Sequence, residues 1–486
     1  MKKLLLTIVF SIGLWSMLNA QWVSPGNGTT YTFPDLIAVS NGVVGNNPSF
    51  PVNFGINADL TISENDVLII DDQVSHITAC DVLITIKGSL ICENSERVEI
   101  GGSQTDPFSI RFENATACDI KNMCFSLGGG IKVIESEVTF DDVEFIYYTR
   151  DYCNSVIDIF NCDPIIKNCN FRINEGAAIS SPANGQSSPQ ILYCQFSYNM
   201  ISNANQPQIN LGPSSTDTIR IVNCTIEGGG HNMSGGISIA DLTGTGETKI
   251  LLKNNIIKNN RYGYNQQGYN LSSVIVGNQF IDNNLETNPM NGGSGISIYG
   301  MNTNNKAKLR NNTIAGNLWG ITAIYFHDID LGTEDDWGHN QIHDNGNGGI
   351  IYDLYNNSTC NIMAVGNYWG TTDEEEIEDH IVHQFDDPSL GLVNYIPFLT
   401  DDGVNDVTTT DFEVWPNPVS NGRFTLILEK ATPSIVTIYN LNGQVVKRQY
   451  IDNQNNVIIV ELSESGAYFV EVKNKEGRMT KKIINS

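Results

Sequence analysis

Asn312-Thr313-Ile314-Ala315-Gly316-Asn317, followed after two residues by Gly320-Ile321, is the stretch on which the fold turns. It holds a six-residue unit: Cys or Asn, any residue, Phe or Ile, two more residues, then Asn. The unit recurs at Cys169 to Asn174, Cys194 to Asn199, Asn255 to Asn260, Asn278 to Asn283 and Asn340 to Asn345. Degenerate copies surround Phe125, Phe145 and Ile226, and Asn367-Tyr368-Trp369 closes the series. The copies lie roughly two to three dozen residues apart, a spacing that suits the coils of a solenoid.

A second anchor follows most units, at Gly176, Gly263, Gly295, Gly320 and Gly349. Short β-like runs come next, such as Ile296-Ser297-Ile298, alternating apolar and polar. Strand, Asn or Gly turn, strand and longer loop make one coil. In a parallel stack each residue lies about 4.8 Å above its equivalent, so like packs on like. Inward Ile, Phe and Val then form apolar ladders. Asn at the corner tolerates a left-handed backbone and can hydrogen-bond to the next Asn amide. The competing reading, Asn-rich turns of an antiparallel β protein, does not account for six copies in phase.

These residues resemble the parallel β-helix repeat family, over roughly Leu60 to Leu399. The resemblance, with the general hand of parallel crossovers, implies a right-handed coil. Solenoid ends need caps over their last apolar rungs. Residues 21–59 are expected to supply one cap. The segment from Asn367-Tyr368-Trp369-Gly370 through Ile377, Ile381 and Val393-Asn394-Tyr395 looks like the closing coil.

Composition agrees. Asn makes up roughly one residue in eight, well above ordinary usage, while 40% hydrophobic residues argue against disorder. Lys2 and Lys3 precede an apolar run, Leu4 to Leu18, that is too short to span a bilayer, and Ala20 precedes the expected cut. Residues 1–20 therefore read as a cleaved secretory signal. No later stretch offers a membrane span in the mature protein. From Gln21 to Thr410 there are 16 Lys plus Arg against 46 Asp plus Glu, a net of −30. From Asp411 to Ser486 the count is 9 against 8. That step marks a domain boundary, and the acidic part excludes nucleic acid as a partner.

Residues 400–410 read as a linker and 411–486 as a small β-sandwich. Strand-like runs at Phe424 to Leu428, Ile435 to Tyr439, Val457 to Leu462, Tyr468 to Val472 and Lys482 to Ile484 alternate with turns at Asn442-Gly443 and Ser465-Gly466. Pro416-Asn417-Pro418, Leu441-Asn442-Gly443, Ser465-Gly466-Ala467-Tyr468 and Lys481-Lys482-Ile483 resemble the type A C-terminal sorting domain of the Bacteroidetes type IX secretion system. The resemblance implies that secretion machinery as a partner, passage through the outer membrane, and then surface attachment or release. The weighed alternative is an accessory carbohydrate-binding sandwich.

Ten cysteines in an exported chain suggest disulfides. Cys169, Cys194 and Cys224, however, share one slot in successive coils and read as stacked core residues with side chains poorly aimed for bridging. The richest polar group spans His327, Asp328, Asp330, Glu334, Asp335, Asp336, His339, His343 and Asp344, with Trp319, Tyr325, Phe326 and Trp337 nearby. Asp328, Asp330, Asp335 and Asp336 are the expected Ca²⁺ ligands, and Trp319, Tyr325 and Trp337 the expected sugar-stacking residues. The bland alternative is a solvated acidic loop. A second charged cluster, Asp373 to Asp379 with His380 and His383, reads as cap packing around Ile377 and Ile381.

No catalytic set assembles. Adjacent acids such as Asp71-Asp72, Asp141-Asp142 and Asp386-Asp387 face different ways on strands. The expectation is a non-enzymatic solenoid binding glycan or another surface ligand. The alternatives are a polysaccharide lyase or glycoside hydrolase acting near Asp335 and His339, or a structural spacer.

Overall fold

The computed structural model describes residues 21–47, 50–400, 412–415, 417, 419, 422–428, 434–440, 445–451, 457–474 and 477–485. The signal segment 1–20, nearly all of the 400–410 linker, and Pro416, Pro418 and Gly443 lie outside them. The chain divides into two compact units, Met1–Asp402 and Gly403–Ser486.

The first unit is a parallel β-helix. One sheet of 14 strands, here the first ladder, runs from Trp22–Val23 to Ile381–Val382 with every pairing parallel. A 25-stranded sheet carries two more ladders that meet at a corner in each coil. Ile165–Lys167 lies on one and Asn170–Arg172 on the other. Inward positions repeat as the sequence demands. On the third ladder Phe125, Phe145, Phe171 and Phe196 stack in register, ring centroids 5.5, 4.6 and 5.0 Å apart. Ile226, Ile257, Phe280, Ile314 and Ile342 continue that column, all fully buried. Each such side chain contributes roughly 1.5–3 kcal/mol by leaving water.

The recurring amides form two buried ladders. At the corner, Asn255, Asn278, Asn312, Asn340 and Asn367 are linked Nδ2 to Oδ1 at 2.8–3.0 Å. A second series runs Asn260, Asn283, Asn317 and Asn345. The ladder residues are not the ones with left-handed backbone. That conformation falls one residue earlier, at Asn254, Gly277, Asn311 and His339. The turn residue bends the chain and the next one turns its amide inward, so the corner divides its two tasks between two residues. The repeated Gly also gains a reason: a Cβ on Gly295 would lie 2.8 Å from the Asn317 amide nitrogen.

Gly349 does not belong to that set. It turns a two-stranded hairpin, Gly346–Asn347 with Ile350–Ile351, inserted into the coil. Leu354 pairs with Ile321, so Asp353 stands where earlier coils have glycine.

A short helix lies at each end of the solenoid. Helix α1, Phe33–Val39, starts with a capping box between Thr32 and Asp35 and buries Phe33 and Leu36 against the first coils. Helix α2, Glu374–Asp379, starts at Asp373 and buries Ile377, while Trp369 is fully covered.

The second unit packs a three-stranded antiparallel sheet and a four-stranded one around Phe412, Phe424, Leu426, Val436, Val470 and Ile483. Two strands beyond the expected five appear, Phe412–Trp415 and Val445–Ile451. The latter is an edge with Val445 and Val446 exposed, so its pattern carries little burial signal.

Candidate functional site

The acidic loop follows a strand of the second ladder, Asp328–Gly332, beside Lys306–Arg310. Arg310 is almost buried, and its Nη2 meets both Asp330 oxygens at 2.8 and 2.7 Å and Asp336 at 2.9 Å. Lys308 Nζ reaches Asp336 at 2.7 Å. These two cations hold the Asp336 carboxyl down at about 2. Glu334 and Asp335 are exposed on a turn closed between Thr333 and Asp336. The calcium expectation is corrected by this geometry. A guanidinium already sits between Asp330 and Asp336, Asp328 is on the strand's other end, and no group of three or more His, Cys, Asp or Glu could hold a metal among the described residues. The sequence suggested otherwise because Arg310 lies a full coil upstream of the acids it neutralises.

The three aromatic candidates separate. Trp337 sits on the acidic corner, 6.2 Å from the His339 ring and directly over Gly366. Trp319 and Tyr325 lie at opposite ends of one first-ladder strand, Trp319–Tyr325, about 20 Å apart at ordinary strand rise. Trp319 is anchored by its indole N–H to the Pro289 carbonyl at 2.9 Å. Tyr352 and Tyr355, which sequence reading did not single out, meet it tilted at 4.7 Å and edge to face at 5.4 Å. Tyr299 meets Tyr325 edge to face at 5.1 Å. Tyr325 and Phe326 are about half exposed. The hairpin at 346–351 hid Tyr352 and Tyr355 by displacing the apparent register.

The histidines do structural work. His327 is buried, its Nε2 2.6 Å from Ser358 Oγ, and burial lowers its pKa. His343 pairs with the exposed Asp344. In the closing coil, His383 Nδ1 accepts the Val393 N–H at 2.9 Å, so its Nε2 carries the proton it shares with Glu378 at 2.7 Å. Glu378 also accepts from Tyr395 at 2.8 Å. Buried Asp353 lies 3.1 Å from His380, whose pKa that carboxylate raises. Cys169, Cys194 and Cys224 are free and buried in the corner slot that becomes Asn255 one coil on.

In the tail, Asn417 Oδ1 accepts the Ile484 N–H and its Nδ2 donates to the Lys482 carbonyl, both at 3.1 Å. The asparagine of the Pro-Asn-Pro motif thus ties the start of the unit to its last strand. Gly466 opens the strand Gly466–Asn474 that pairs with that last strand.

The family described as a secretion system C-terminal sorting domain matches residues 413–486. A family described only as a protein of unknown function (DUF1565), a β-helix type of domain, matches residues 174–374. The chain is thus a β-helix protein carrying a type IX sorting domain, which marks it for export to the cell surface or secretion. Beta-agarase A of Zobellia galactanivorans is 36% identical over 78 residues, covering 16% of this chain and 14% of that protein's length. A double-mutant form of the periplasmic alginate epimerase AlgG aligns at a TM-score of 0.48 and 11% identity, over 76% of this chain and 84% of the other. The tailspike gp49 of Acinetobacter baumannii bacteriophage Fri1, a capsular polysaccharide depolymerase, aligns at 0.27 and 10%, over 89% and 73%. Among the described residues, no helix is long and apolar enough to cross a membrane.

Proposed function

We propose that the exported chain is a non-enzymatic glycan-binding solenoid whose binding surface is the outward face of the first ladder, displayed at the outer surface or released once the type IX machinery has acted on the tail. The observation that carries this reading is the aromatic group Trp319, Tyr352 and Tyr355, with the Tyr299–Tyr325 pair at the other end of the Trp319–Tyr325 strand. Pyranose rings have apolar faces that stack on such side chains, and neighbouring amides and hydroxyls supply orientation. The acidic loop, its charges paired with Arg310 and Lys308, is surface structure in this reading.

The test is calorimetry against a glycan panel, comparing the unmodified protein with Trp319→Ala and Tyr355→Ala. Affinity should fall about tenfold or more in each, with the melting temperature little changed and the glycan recovered intact. Cleaved product would favour the enzymatic alternative, and unchanged affinity would remove this face. Export is tested separately. Deleting residues 411–486 should leave a folded passenger in the periplasm, and its appearance outside the cell would overturn that role of the tail.

A further inference from the structure

The outward column nearest the centre of the first ladder can be followed rung by rung through its register. It is charged at Arg111, Lys132 and Asp158. Then come six rungs without a charge: Ser180, Asn210, Ser238, Asn265, Ser297 and Thr322. Tyr355 follows, in contact with Trp319. Six uncharged rungs span about 24 Å at the ordinary interstrand distance. This occurs in a passenger with 46 acids against 16 bases.

The column is organised rather than merely bland. Tyr262 packs over Gly235, where a Cβ would come within 2.2 Å of its ring. Asn265 Nδ2 donates to Ser238 Oγ at 3.0 Å, which leaves its carbonyl oxygen as an acceptor. Ser294 and Thr322 share a hydrogen bond at 3.0 Å. The Asn210 and Ser297 side chains are half-buried and make no hydrogen bond to the described residues. Asn210, Asn265 and Ser297 thus keep donors and acceptors free along the column, as sugar hydroxyls require, while Ser180 is held by Asp158 and Ser155 and Ser238 is buried.

Resting on the glycan-binding reading, we infer that the ligand is a neutral, linear polysaccharide lying parallel to the solenoid axis over this column, one sugar to each coil, with its end stacked on Trp319 and Tyr355. The coil rise is close to the length one equatorially linked pyranose adds to an extended chain, so the same contact repeats from rung to rung. The charge balance selects against a polyanion: bringing one to an uncharged track among 46 carboxylates gains no ion pair and meets repulsion.

The experiment is calorimetry on the exported protein with neutral gluco-, manno-, xylo- and agaro-oligosaccharides of two to eight units, and with alginate oligosaccharides of the same lengths. At least one neutral series should bind with affinity that climbs to about six units and then levels. Asn210→Asp and Ser297→Asp should each weaken the six-unit ligand about tenfold while leaving the two-unit ligand unchanged. Trp319→Ala should weaken both. Melting curves identify a variant that fails to fold, and two variants guard against that loss. Affinity independent of length, or two folded variants without effect, would overturn the axial track while leaving glycan binding intact. So would alginate binding tighter than every neutral series. No binding by any series would overturn both.

Discussion

One corner slot of the β-helix is filled in two ways. In the N-terminal coils it holds Val98, Met123, Val143 and then Cys169, Cys194 and Cys224. In the C-terminal coils the same slot holds Asn255, Asn278, Asn312, Asn340 and Asn367. The thiols and aliphatics work singly, as small apolar volume. Burial drives the Cys194 thiol well above its ordinary pKa, so it stays protonated. The amides work as a series, because each Oδ1 accepts from both the backbone and the side chain of the residue one coil before. An apolar column can stop anywhere, whereas an amide ladder must be finished at both ends.

The endings bear this out. The first amide, Asn255, accepts the Cys224 N–H at 2.9 Å. In the second ladder the coil carrying Gly228-Gly229-Gly230 supplies no amide, and Gln208 from a first-ladder strand bridges Asn199 and Asn260 at 2.9 and 3.0 Å. That ladder ends on Asp353, which accepts from Asn345 and faces His380.

If this contrast is right, substitutions in the two halves should differ in cost. Asn312→Leu removes an acceptor for both the Asn278 N–H and amide and a donor to Asn340, so it should cost about 3 kcal/mol. A urea midpoint equal to that of the unmodified protein would mean the ladder contributes nothing. Gln208→Leu strands one amide donor from Asn199 and one acceptor on Asn260, and should cost about 2 kcal/mol by the same measurement. Cys194→Ala, on the thiol side, should cost only about 1 kcal/mol, because a small volume is lost and no ladder partner is stranded. A loss as large as that of Asn312→Leu would erase the distinction.

The smallest effect is on pH dependence. His380 has a folded pKa above its ordinary 6.5, chiefly through Asp353, with Glu376 adding to it. Its stabilising contribution is therefore complete below about 6.5 and is lost as pH rises through the folded value. Burial raises the Asp353 pKa, which acts in the same direction. The melting temperature should fall slightly between pH 6 and 8.5, and His380→Gln should flatten that slope. A slope unchanged in His380→Gln would detach the ladder's end from this pair. Asp336, depressed to about 2, works in the opposite sense: its contribution is present above about 3.8 and lost as pH falls toward 2.

The repeat, the parallel stacking and the sorting tail were legible in the sequence, because each depends on local periodicity or a short motif. Ile and Phe recurring inward, Asn recurring at corners and Pro-Asn-Pro near the tail's start need no knowledge of distant partners. What tertiary structure decided was every question of pairing between coils. Arg310 and the acids of the next coil are 20 and 26 residues apart, so the loop looked like a cation site until the stacking placed a guanidinium within it. The hairpin at 346–351 shifted the phase and hid Tyr352 and Tyr355 beside Trp319. Gln208 has no place in the repeat pattern at all, yet it completes a ladder. A solenoid writes its coil into the sequence, since every rung obeys the same local rule. Its surface depends on which rungs become neighbours, and the variable length of each coil sets that.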